Sequence, residues 1–352
     1  MLTVTLLSGC KEKEEKVSEE EAKKFATYIK KEVDDFKINF LETNIHVPLL
    51  LERIKSTSDK KLLSGFETGI KKGLSSNNYE KSIYNIMAGT GSFELVNQYA
   101  KEGAQHIIFR VYGPNGLNYL DMELAKYKKK VGIADIFLQT TGENLSKSMG
   151  ELAEKLLSHE GSSTEQHLID VLNRIKKYTA DKEYEKAKAE FQRLPYSLRN
   201  DRMYEVTYLE ILSNISQEEY MAELEKITKK YEGQPGYDLM LLDVYLTRKD
   251  FDKALKAIDG VDSTVKGDPF LDYYRGLVHN MNDDKEKAVV YFEKVAKVRP
   301  DFADNYAELV AHYASRDDKA NARKYYVVYK KMKGKNPEVI NFYEAEYPFL
   351  AE

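Results

Sequence analysis

Apolar residues change their spacing twice along this chain. From Ala22 they recur at Phe25, Ile29, Val33 and Phe36, the stripe of an amphipathic helix, behind a Ser18-Glu19-Glu20-Glu21 stretch with the form of a capping box. Helical spacing continues over about 46–55, 60–73 and 79–88. At Gly91 the period drops to two. Phe93, Leu95 and Tyr99 alternate, then Ile107, Phe109 and Val111, then Leu117 and Tyr119, then Val131, Ile133 and Phe137. Ala134, Ile136 and Leu138 fill the alternate positions of the last run, which predicts a strand buried on both faces. Turns fall at Gly113-Pro114-Asn115-Gly116 and over 127–130. The pattern predicts several helices, then a four-stranded antiparallel meander, then a helix over about 143–158 carrying Leu145, Met149, Leu152 and Leu156.

Beyond Gly161-Ser162-Ser163 the helical period returns, now with a second period laid over it. Ala254, Ala288 and Ala322 are 34 residues apart; so are Ile258, Phe292 and Tyr326, and Val261, Val295 and Tyr329. Tyr245, His279 and Tyr313 mark an earlier point in each unit, and Asp250, Asp284 and Asp318 another. A fixed period of this length predicts helix pairs that bury their apolar faces only by stacking on neighbouring pairs. Tyr178, Ala187 and Phe191 begin the series, and a degenerate unit over about 201–234 follows. Small alanines allow close helix crossings, and the bulky residue four positions later fills the space above.

These residues resemble the tetratricopeptide repeat over roughly half the chain. The resemblance implies an all-α superhelix whose first helices line a concave groove for a protein or peptide segment. Carried over position by position, the groove residues are Leu239, Asp243, Phe270, Tyr273, Leu277, Asn280, Asp304 and Ala307, with Leu246, Thr247, Met281, Ala311, Ala314 and Ser315 beside them. The set is apolar with few charges. Many of these side chains could equally pack within the superhelix or against the first domain.

The first half resembles an α+β cone of the cystatin or nuclear-transport-factor kind. Phe109-Arg110, Gly116-Leu117-Asn118-Tyr119, Asp135-Ile136 and Thr141-Gly142-Glu143 are similar to an uncharacterised bacterial domain found ahead of such repeats. In such cones the concave sheet can line a ligand pocket, toward which Arg110, Asp121 and Asp135 could converge. Polar strand residues more often face solvent or make one internal salt bridge.

The only cysteine is Cys10, at the end of Leu7-Ser8-Gly9-Cys10. That stretch resembles the lipobox of a bacterial lipoprotein, which implies cleavage before Cys10 and acylation of its thiol. Lys11, rather than Asp, after the cysteine favours the outer over the inner membrane within that resemblance. The expected organisation is a signal peptide over 1–9, a charged tether over 10–17, an α+β domain over 18–160, about five helix pairs over 161–335 and a capping helix over 336–352.

Composition narrows the function further. The 352 residues carry 54 Lys and Arg against 58 Asp and Glu, a net charge of −4, which gives no basic footprint for nucleic acid. No run of about 18 apolar residues occurs, so a lipid anchor is the expected membrane attachment. The six histidines, His46, His106, His159, His167, His279 and His312, lack metal-ligand spacing. No phosphate-cradling glycine loop or nucleophile elbow is present. The sequence therefore predicts a binding scaffold without cofactor or metal, and leaves open an enzyme or small-ligand binder sited in the first domain.

Overall fold

The computed structural model describes residues 14–57, 63–75, 78–87, 91–114, 116–139, 142–157, 162–234 and 236–351. Cys10, the expected acylation site, and the residues before it lie outside them. Helix α1 (Glu19–Asp34) starts as its sequence dictates. The Ser18 hydroxyl accepts from the Glu21 amide, and the Glu21 carboxylate accepts from the Ser18 amide at 2.9 Å. Its stripe of Ala22, Phe25, Ala26, Ile29 and Val33 is buried, while Phe36 falls beyond the helix and is exposed. Four shorter helices follow: α2 (Phe40–Asn44), α3 (Val47–Thr57), α4 (Leu63–Ser75) and α5 (Asn78–Met87).

The meander forms β1 (Ser92–Lys101), β2 (Ala104–Gly113), β3 (Gly116–Tyr127) and β4 (Lys130–Leu138), paired antiparallel in chain order. A two-residue β5 (Glu143–Asn144) adds a fifth strand that the periodicity did not predict. One sheet face carries Phe93, Ile107, Phe109, Val111, Leu120, Met122 and Ile136, and packs on α1, α3 and α5 in a single apolar core. Phe93 stacks on Phe109 at 4.5 Å. The fourth strand is buried on both sides from Gly132 to Ile136. One alternation fails. A bulge between Leu95 and Asn97 turns Leu95 outward, 42% exposed, and moves Tyr99 to the opposite face from Phe93.

Helix α6 (Leu145–Leu157) leads into the repeats. The pairs are α7 (Ser162–Ala180) with α8 (Tyr184–Gln192), then, after the short α9 (Tyr196–Arg199), α10 (Arg202–Ser213) with α11 (Gln217–Tyr231). Next come α12 (Asp238–Arg248) with α13 (Phe251–Thr264), α14 (Leu271–Met281) with α15 (Lys285–Val298), and α16 (Ala303–Ala314) with α17 (Lys319–Lys331). The 34-residue period has a local cause as well as a packing one. Lys249, Asp283 and Asp317 adopt left-handed φ near +60°, and the next residue, Asp250, Asp284 or Asp318, caps the second helix by accepting from the amide three positions on. Ala254, Ala288 and Ala322 are fully buried. On the facing helix a Cβ on Gly276 would fall 2.5 Å from the Phe292 ring.

Helix α18 (Pro337–Glu346) ends the array, followed by a 3-10 turn at Pro348–Leu350 rather than by continued helix. Tyr343 is buried and its hydroxyl donates to the Ala307 carbonyl at 2.8 Å, which seats α18 on α16. Phe342 points outward, 59% exposed.

Candidate functional site

The second face of the sheet decides where a site can be. His106, Ile108, Arg110 and Tyr112 of β2 lie across from Glu123, Asp121, Tyr119 and Leu117 of β3. The middle of this polar and aromatic face is not solvated. Ile108 and Tyr119 are completely buried among residues of the repeats. The sheet is a middle layer, with α1–α5 on one side and the repeat array on the other.

The junction is built on one carboxylate. Asp268, in the loop between α13 and α14, accepts two bonds of 2.7 Å from Arg110 Nη1 and one of 2.8 Å from the Tyr119 hydroxyl. The Phe270 amide donates to it at 3.0 Å, and its own amide donates to Asp262 at 2.8 Å. Burial beside Asp268 pushes the Tyr119 hydroxyl well above its ordinary pKa, so it stays a donor. The Arg110 guanidinium lies 4.0 Å above the Phe270 ring. Nearby, the Tyr112 ring meets Phe270 and Phe302, and its hydroxyl donates to Asp304 at 2.7 Å. At the other end Arg202 bonds the buried Glu143 at 2.8 Å.

The groove residues divide accordingly. Phe270 and Tyr273 are buried under the sheet, Leu239 is buried between helices, and Asp304 is tied to Tyr112. Ala307 is half-buried beneath Tyr343. The remainder stays open along α12 and α14: Asp243 is exposed, Leu277 and Asn280 are half-buried, and Met281 is 52% exposed. The open part is also more acidic than its sequence positions suggested. Glu308 of α16, which the repeat register did not nominate, takes a 3.4 Å bond from Asn280, whose amide oxygen accepts from Lys285 at 2.7 Å. Burial raises the carboxyl pKa of Glu308, with Asp304 adding to the rise and Lys285 opposing it. Desolvation by the concave wall around it raises the Asp243 carboxyl pKa too, although the side chain itself stays open.

No protein-family model and no curated protein matches the chain. Solved structures similar to it are a MamA RS-1 ArsTM double mutant (16% identity, TM-score 0.39, covering 50% of this chain and 95% of that one) and MamA 41-end from Desulfovibrio magneticus RS-1 (16%, 0.38, 50% and 94%). A third is a crystal structure of MamA protein (15%, 0.38, 51% and 94%). The chain is an α+β domain joined to a tetratricopeptide-like array. That description rests on its own helix pairs, because likenesses this distant carry no argument.

Arg110, Asp121 and Asp135 share the repeat-facing side of the sheet but do not converge. Arg110 is committed to Asp268. Asp135 accepts from the amide and hydroxyl of Ser146 and from the Ile136 amide, which fixes the start of α6; burial raises its carboxyl pKa against those bonds. Asp121 accepts from the Tyr99 hydroxyl and from His106 Nδ1 at 2.9 Å. Neither Tyr99 nor His106 was visible as a candidate, since each stands alone in its strand and only the register brings them together. Among the described residues no group of three or more His, Cys, Asp or Glu could hold a metal ion.

Proposed function

We propose that this chain is a lipid-anchored scaffold of the bacterial envelope whose repeat groove holds a segment of a protein partner. The observation that carries the reading is the uncovered stretch of the concave wall, with Asp243, Leu277, Asn280 and Met281 open while Phe270 and Tyr273 are closed by the sheet. An extended or helical segment laid there finds apolar anchors and hydrogen-bonding side chains together. The first domain acts as the fixed wall of that groove.

Attachment through an acylated Cys10, at the outer rather than the inner membrane, is part of the same proposal and rests on Leu7-Ser8-Gly9-Cys10 followed by Lys11. Acyl chains bury about 0.8 kcal/mol per CH₂, and more than one is needed for stable anchoring. Among the described residues no helix is long and apolar enough to cross a membrane. A non-enzymatic role is proposed with it, because Arg110 and Asp135 are both committed to structural partners.

The test is site-specific photocrosslinking in cells from a benzoylphenylalanine at Leu277 and, separately, at Val290 on the outer face of α15, which is 52% exposed. A discrete adduct from Leu277, absent from Val290 and lost with Met281→Asp, is expected. Adducts that form equally from both positions would contradict a groove-borne function.

A further inference from the structure

Between the outer sheet face and the repeats lies a cleft of about 650 Å³, within the roughly 300–1,000 Å³ of small-molecule sites. Tyr99, His106 and Asp121 line one side, and Ser263, Thr264 and Lys266, at the end of α13 and just beyond it, line the other. The buried Asp121 is fully used: one oxygen holds His106 Nδ1 at 2.9 Å and the other takes the Tyr99 hydroxyl. Tyr99 also stacks on the imidazole, with ring centroids 4.8 Å apart. Burial and Asp121 together raise the Tyr99 pKa, so the hydroxyl remains a donor. Every one of these bonds orients the imidazole, yet no described residue bonds its Nε2.

Of the charged groups lining the cleft, three lysines and two glutamates are left without an ion-pair partner among the described residues, a small excess of positive charge. Glu14 and Glu123 are both paired with Arg53, and Asp121 is spent on the ring. Glu15 and Glu102 are exposed at the rim. Lys16, Lys101 and Lys266 also line the cleft, and none has an ion-pair partner among the described residues. The Lys266 amine stands 5.8 Å from the centroid of the same Tyr99 ring on which the imidazole stacks. An imidazole held at Nδ1 donates through Nε2 when protonated and accepts there when neutral, so it can meet either an oxyanion or its acidic hydroxyl.

We propose that this cleft is a binding site for a small anionic ligand, a carboxylate or a phosphate, held by His106 of the sheet and Lys266 of the repeats. The site is distinct from the groove and is complete only when the two halves are docked.

Calorimetric titration of the full chain with inorganic phosphate and, separately, with succinate tests this. Saturable one-site binding of at least one probe is expected, and the tighter arm identifies the ligand's head group. His106→Gln and Lys266→Gln should each weaken that binding at least tenfold, while Leu277→Ala in the groove leaves it unchanged. Lys266 is an exposed side chain without an ion pair among the described residues, so its variant is expected to stay folded, which an unchanged unfolding midpoint checks. Absence of saturable binding for both probes, or either variant binding as tightly as the native chain, overturns the proposal.

Discussion

Arg110 of β2 and Asp268, 158 residues later, join through two bonds of 2.7 Å with both side chains 4% exposed. A charge pair taken so far out of water is sustained only where its remaining bonds are satisfied. Asp268 meets that condition with a tyrosine hydroxyl and a backbone amide besides. Arg110 meets it less completely, since its Nε is buried without a partner. The pair therefore contributes registry more than net stability: it sets where the sheet sits on the repeats, and so how much of the groove stays open.

A backbone approach reinforces the same seating. Gly142 and Gly236 have φ of +67° and +88°, and a Cβ on Gly142 would fall 2.9 Å from the Gly236 carbonyl oxygen. Gly142→Ala or Gly236→Ala should each destabilise the chain by at least about 1 kcal/mol, through φ strain and steric clash together. Denaturant unfolding gives the value; an unchanged midpoint in both variants would show that the halves do not meet there.

The alanine at each helix crossing makes a second prediction. Ala288→Phe should overpack the α14–α15 crossing and cost at least about 1–3 kcal/mol, with Ala254→Phe and Ala322→Phe alike. Equal unfolding midpoints for native and substituted chains would mean that the crossings are not tight.

Acid should loosen the start of α1. The Lys126 amine, 2.6 Å away, and the Ser18 cap hold the Glu21 carboxyl at about 2, below its ordinary 4.5. A lowered carboxylate pKa adds stability that is complete above the ordinary value and is lost as pH falls through about 2. Carboxyl NMR titration should find Glu21 near that value in the native chain and higher in Lys126→Met. A Glu21 that titrates alike in both would contradict the pairing.

The repeat half was legible because its period is enforced twice, by Ala254, Ala288 and Ala322 at the crossings and by left-handed turns followed by Asp250, Asp284 and Asp318. The meander was legible from its alternation until the bulge at Leu95 broke it. What alternation cannot report is what covers a polar face. Arg110 and Asp121 read as pocket residues, or as polar positions facing solvent or an internal salt bridge, and Arg110 makes such a bridge to a loop 158 residues later. Phe270 and Tyr273, carried over as groove positions, pack against the first domain instead, the other arrangement that their positions allowed. Tyr99 and His106 needed the strand register to become neighbours. Glu308 became part of the groove only through Asn280.

Anchoring makes a prediction independent of the fold. Expressed with its leader in a Gram-negative host, the chain should incorporate labelled fatty acid and fractionate with membranes, and Cys10→Ala should abolish both. Labelling that survives this substitution would contradict acylation at Cys10.

The central claim, that the sheet and the repeats form one structure through a buried polar seam, is tested most directly by a double-mutant cycle on Arg110 and Asp268. Arg110→Met and Asp268→Leu should each cost about 3–5 kcal/mol, because each strands a buried charge. The double variant should cost clearly less than the sum, with a coupling of at least about 2 kcal/mol in equilibrium unfolding. Costs that simply add would contradict the claim and leave the two halves as neighbours without a shared seam.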